Sequence, residues 1–141
     1  MRGAPIEALE RLPLFGDLSP HELQSVARLF KDRRFPKGET VVKEGSGGAA
    51  FFVIESGEAT VFIGAKEHST LRPGDYFGEV ALIDRGARMA TIVATSDLDC
   101  YGLTYWDFRP FVEQNGAIGW KLLERMAMML RDTRHGLESR P

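Results

Sequence analysis

The chain has 141 residues, of which 43% are hydrophobic, with 18 Lys+Arg against 20 Asp+Glu for a formal charge of -2. That length suits one domain with its own core, and the near balance of charge lacks the basic footprint of a nucleic-acid-binding protein. The single cysteine, Cys100, excludes an internal disulfide and fits a reducing compartment; no stretch is apolar for long enough to span a bilayer and no signal-peptide segment opens the chain, so a cytoplasmic location is expected.

Residues 1–31 read as helical, with a break at Leu12-Pro13-Leu14-Phe15-Gly16. Ser19, Pro20 and Glu22 form a helix start: a capping hydroxyl, proline at the first helical position and an acid at the third. Leu23, Val26, Ala27 and Phe30 then recur at helical spacing, which predicts a helix to about Lys31.

From Asp32 to Trp106 the pattern is of short strands. Val41-Val42, Phe51 to Ile54, Ala59 to Ile63, Thr91 to Ala94 and Cys100 to Leu103 are β-rich. Glycines at 38, 45, 57, 64 and 74 punctuate them, and each can take the positive φ of a tight turn. Such spacing predicts an antiparallel sandwich or barrel. Cys100 falls in one of these apolar runs, where a buried, inert thiol is expected.

One run inside this zone carries chemistry. Phe77-Gly78-Glu79-Val80-Ala81-Leu82, followed by Arg88-Met89-Ala90, reads as a strand, a short helical segment to about Ile83 and a second strand. A glycine opening a helix leaves backbone N–H groups free to point at an anion. An arginine can fork onto a phosphate through two charge-assisted hydrogen bonds. A glutamate would repel a phosphate but can accept from a sugar hydroxyl. Together they ask for a ligand with one phosphate close to one ribose hydroxyl.

Phe77 to Ala94, FGEVALIDRGARMATIVA, resembles the phosphate-binding cassette of cyclic-nucleotide-binding domains, found in bacterial catabolite activators, regulatory subunits of cAMP-dependent protein kinase and cyclic-nucleotide-gated channels. Phe35-Pro36-Lys37-Gly38-Glu39, Glu44-Gly45, Ser56-Gly57-Glu58 and Pro73-Gly74-Asp75 resemble that family's turn signatures. The resemblance implies a mainly β fold, an eight-stranded antiparallel β-roll over 32–106 with N-terminal helices before it and a long C-terminal helix after it, as a single domain over 1–141. It implies that the backbone of Gly78, Glu79, Val80 and Ala81 and the side chain of Arg88 hold a cyclic phosphate, with Glu79 on the ribose 2′-hydroxyl. Met89 departs from the family's usual Ser, Thr or Ala. Losing a hydroxyl there disfavours cGMP, so cAMP is the expected ligand and no further cofactor is implied.

The C-terminal zone, 107–137, opens with Tyr105-Trp106-Asp107-Phe108, where Asp107 can cap a short helix through Val112. Asn115-Gly116 breaks it, and a long helix is expected from about Ala117 to Gly136. Ile118, Leu122, Met126 and Met129 form a stripe suited to lie on the barrel. Leu123, Met126, Leu130, Thr133 and Leu137 have the spacing of a coiled-coil seam. In catabolite activators the equivalent helix pairs with its two-fold mate, so the resemblance implies a homodimer through 117–137; burial of the whole apolar face on one monomer is the alternative. It also aligns Thr133 with an adenine-reading threonine and makes Arg134 a candidate to stack on or cap the base.

An enzyme is not expected. His21, His68 and His135 lack metal-ligand spacing, and Cys100 has no adjacent base. Transcription regulators of the family continue into a helix-turn-helix domain, so two expectations stand for this chain: a free-standing regulatory module, or a piece of a longer regulator. The rival reading from another class is a ligand-free dimerisation module with a degenerate nucleotide site.

Overall fold

A computed structural model describes the backbone of residues 3–138 and the side chains of residues 3–132. Eight strands, β1 (Lys31–Phe35), β2 (Thr40–Val42), β3 (Ala50–Ser56), β4 (Ala59–Ile63), β5 (Lys66–Leu71), β6 (Tyr76–Phe77), β7 (Thr91–Ala94) and β8 (Leu98–Thr104), form two four-stranded sheets. Their orders are β1-β8-β3-β6 and β2-β7-β4-β5, with every pair antiparallel. Helices α1 (Ile6–Leu9) and α2 (Pro20–Ala27) precede the strands, and α3 (Tyr105–Gln114) and α4 (Gly116–Glu138) follow them. The β-roll expected from the sequence is present.

β3 explains how the layers stack. Side chains alternate between the faces of a strand, yet Phe51, Phe52, Val53 and Ile54 are all buried. Phe51 and Val53 pack with Leu9, Phe15, Val26, Phe30, Phe108, Ile118 and Leu122 under the helices. Phe52 and Ile54 pack with Phe35, Ala59, Ala94, Leu98 and Cys100 between the sheets. A strand covered on both faces reads as a continuous apolar run, which is why its sequence shows no alternation. The Cys100 thiol, in that second core, is pushed up to about 12 by burial.

Ser19 starts α2 as expected: its hydroxyl accepts from the Glu22 N–H (3.2 Å) and Glu22 Oε1 accepts from the Ser19 N–H (2.9 Å). The helix ends at Ala27 rather than near Lys31. Phe30 is fully buried under β3 and Lys31 already pairs with Gly102, so pairing with β8 takes over from helical spacing. Thr104, not Asp107, caps α3, its hydroxyl accepting from the Asp107 N–H (3.2 Å). That places Asp107 in the first turn, 3.6 Å from Lys31. α3 runs on to Gln114, and α4 starts at Gly116.

α4 lays Ile118 and Leu122 into the core under the helices, with Met126 beside them. Lys121 Nζ reaches Glu22 Oε1 (2.6 Å) and Arg125 Nε donates to the Pro13 carbonyl (2.7 Å), so the first half of α4 is tied to the N-terminal segment. Trp120, Leu123, Met128 and Leu130 stay exposed. Among the described residues no helix is long and apolar enough to cross a membrane.

Candidate functional site

β6 delivers the chain to the site by pairing Phe77 with Phe52 of β3, and the two rings lie 5.2 Å apart. Gly78 then turns the chain at φ +87°, a region that side chains avoid. A Cβ there would also come within 2.7 Å of the Ala50 carbonyl oxygen and of Arg88 Nη1. Only glycine fits.

Residues Glu79–Leu82 form a 3-10 turn anchored by the buried Ala81 and Leu82, with Val80 facing outward. The Ala81 N–H is used inside the turn, donating to the Gly78 carbonyl (2.9 Å), while the Val80 carbonyl accepts from Ile83 and Asp84. Of the first N–H groups of such a turn, that of Val80 has no acceptor within it, while that of Glu79 faces its own carboxylate. Glu79 is half-buried, and burial raises its carboxyl above the usual range against the pull of its own backbone N–H. Among the described residues no cation pairs with it.

Arg88 is gripped by the loop between β2 and β3. Its N–H donates to the Ser46 carbonyl (2.8 Å), its carbonyl accepts from the Gly45 N–H (2.9 Å), and Gly47 bridges to Ala87. Arg88 Nη2 donates to the Ala50 carbonyl (2.8 Å). The guanidinium is half-buried, and burial lowers its pKa. No carboxylate pairs with it among the described residues. Gly78, adjoining both residues, thus joins a cation and a carboxylate that have no counter-charge among the described residues. An anion next to a hydroxyl group satisfies both.

Met89 is 87% exposed, so its side chain supports nothing within the fold. Thr133 and Arg134 lie on α4, but their side chains fall outside the described residues. Beyond the cassette's glycine, acid and arginine, the structure brings in residues that sequence reading passed over. Gly48 and Ala50, in the run Gly47-Gly48-Ala49-Ala50, lie against the Arg88 side chain, and a run of four small residues before an apolar strand is itself a sign of close approach. Arg85, at the cassette tip, lies 4.4 Å from the ring centre of Tyr105 and 4.6 Å from that of Trp106, resting the tip on α3.

A cavity of about 470 Å³ lined by Asp32, Arg33, Arg34, Glu55 and Asp99 shares no residue with the cassette, and its charges of both signs offset one another. No group of three His, Cys, Asp or Glu side chains among the described residues could hold a metal ion.

Residues 32–115 match the family model of the cyclic nucleotide-binding domain. A cAMP-dependent protein kinase regulatory subunit of Aspergillus niger is 41% identical over 92 residues, covering 64% of this chain and 22% of that protein. The cyclic AMP receptor protein of Thermus thermophilus is 30% identical over 125 residues, covering 85% of this chain and 58% of the other. This chain therefore spans about a fifth of the kinase subunits it matches. The N-terminal domain of a transcriptional regulator from Streptomyces coelicolor shares the fold, with a TM-score of 0.83 at 24% identity over 95% of this chain and 96% of that one. With a β-roll, a glycine-opened turn and an arginine caged beside it, and with the family model matching more than half its length, the chain belongs to the cyclic nucleotide-binding domain family.

Proposed function

We propose that this domain senses a cyclic nucleotide, cAMP in preference to cGMP, and passes occupancy on through α4. The observation that carries the reading is a half-buried Arg88 that donates to the neutral Ala50 carbonyl, set near a half-buried Glu79, with no opposite charge on either among the described residues. A cyclic phosphate completes the first and a ribose 2′-hydroxyl the second, with the Val80 N–H, at the head of the turn that Gly78 opens, directed to the phosphate. Met89 offers no hydroxyl to a guanine, which favours cAMP.

The base falls to α4, where Thr133 is the reader of the adenine amino group and Arg134 the residue that stacks on or caps the base. A helix that touches the base gains contacts only in the bound state, and that difference in affinity is what shifts the population of its arrangements. The exposed Leu123 and Leu130 favour a second copy of α4 as partner, giving a homodimer through 117–137. The output is regulatory rather than catalytic, in a transcription regulator or another signalling protein.

Titration calorimetry tests the site. Arg88→Ala removes a charged hydrogen-bond donor worth about 1.5–3 kcal/mol, so cAMP binding should weaken about ten- to a hundredfold, with cGMP weaker than cAMP for the unaltered chain. Unchanged cAMP binding in that variant refutes the assignment. A chain that binds neither nucleotide but still associates through α4 is the dimerisation module of the rival reading.

A further inference from the structure

Two adjacent glycines in the loop after β2 differ in what they allow. A Cβ built at Gly47 meets nothing closer than the Arg85 carbonyl oxygen at 3.9 Å, an ordinary contact. A Cβ at Gly48 would overlap Arg88 Nε and Cζ and lie 2.6 Å from Nη2. Neither glycine has the positive φ that would require it for backbone reasons. The constraint at Gly48 is space alone, and the space is filled by the arginine.

The loop cannot simply retreat from that overlap. Before Gly48, Gly45 and Ser46 exchange backbone hydrogen bonds with Arg88, and the Glu44 N–H donates to the Thr91 hydroxyl (2.9 Å). After it, the Ala49 carbonyl accepts from the Tyr105 N–H (2.7 Å), and Ala50 enters β3 opposite Thr104. With both flanks tied, the guanidinium is the part free to move. Displaced, it loses the Ala50 carbonyl and its place beside Gly78.

We infer that Gly48 is a positioning residue of the nucleotide site: its missing side chain forms the floor on which Arg88 lies, and any side chain there swings the guanidinium off the cassette. The role in binding rests on the proposed function, in which Arg88 holds the ligand's phosphate; the placement of the arginine does not.

The test compares Gly48→Ala, Gly47→Ala, Arg88→Ala and the Gly48→Ala/Arg88→Ala pair in the full chain. In nitrogen–proton spectra the Arg88 Nε–Hε resonance is the one lost in Arg88→Ala. It should keep its place in Gly47→Ala and move to the position of solvated arginines in Gly48→Ala. Titrated with cAMP, Gly48→Ala should bind about tenfold or more weakly and Gly47→Ala within about twofold of the unaltered chain, while the double variant binds no more weakly than Arg88→Ala alone. An unmoved resonance in Gly48→Ala overturns the inference, as does full-strength binding by Gly48→Ala where Arg88→Ala is impaired. Full-strength or absent binding in both Arg88→Ala and the unaltered chain instead refutes the phosphate reading, and the spectrum still decides the positioning. Should Gly48→Ala fail to fold, the double variant, with the overlapping side chain gone, must fold; if it does not, Gly48 serves something other than Arg88.

Discussion

Glu79 and Arg88 show what the fold gives up to keep a site open. Each is partly withdrawn from water with no opposite charge beside it among the described residues, and each titrates in the direction that burial of a charge dictates. For Glu79 the sign follows directly. Its folded carboxyl titrates above the unfolded one, so above both values the ionised group destabilises the fold, and below both it contributes nothing. Glu79→Gln should therefore raise the unfolding midpoint at pH 7 without ligand, and the gain should fade as pH falls through the raised range of Glu79. Thermal melts across pH 4–7 check this, and a variant less stable than its parent at pH 7 would mean that the backbone N–H on that carboxylate outweighs its burial. Under the proposed function the same substitution should weaken nucleotide binding, though less than Arg88→Ala, since an amide oxygen still accepts one hydrogen bond. Stability and binding pull apart at this residue.

Among the elements, α4 is held most firmly at its start. Arg125 reaches the Pro13 carbonyl, lies 3.7 Å from Asp17 and passes over Gly16, whose added Cβ would stand 3.1 Å from the guanidinium. One turn earlier, Lys121 holds Glu22, whose carboxyl drops below the usual range through Lys121 first and then the Ser19 backbone. Arg125→Ala removes a charged donor from a part-buried carbonyl and should cost about 1–2 kcal/mol of stability in urea unfolding. A loss near zero would mean that Ile118 and Leu122 alone seat the helix. Here the limits of sequence reading also become clear. β3, β4 and β7 were visible as apolar or alternating runs, and the Ser19–Glu22 box marked the start of α2. β1 and β5 were not, because Lys31–Arg34 and Lys66–Ser69 are exposed strands at sheet edges whose residues carry no apolar period. The glycine, acid and arginine of the cassette could be read from their own chemistry and from a family resemblance. Gly48 could not, since its requirement arises only when Arg88 folds back over it from a distant part of the chain.

At the scale of the whole molecule, α4 carries more apolar surface than one domain covers. Ile118 and Leu122 are buried at 6% and 5% exposure, while Leu123 and Leu130 on the other stripe remain 57% and 68% exposed. Leu123 and Leu130 stand one heptad apart on either side of the core-packed Met126, a spacing that suits the second copy of the same helix proposed above. Sedimentation at rising concentration should give a dimer for the unaltered chain and a monomer for Leu123→Glu/Leu130→Glu; a monomer throughout removes the dimer from the account. Arg85 rests the cassette on α3, which leads directly into α4. The cassette and α4 are in this way joined through α3.

The most direct measurement is the unfolding midpoint of the unaltered chain as cAMP is added. A ligand that binds only the folded state stabilises it by about 2.7 kcal/mol at a hundred times its dissociation constant, so the midpoint should climb steadily with cAMP, less with cGMP, and hardly at all in Arg88→Ala. A midpoint that stays fixed with both nucleotides at millimolar concentration would contradict the account.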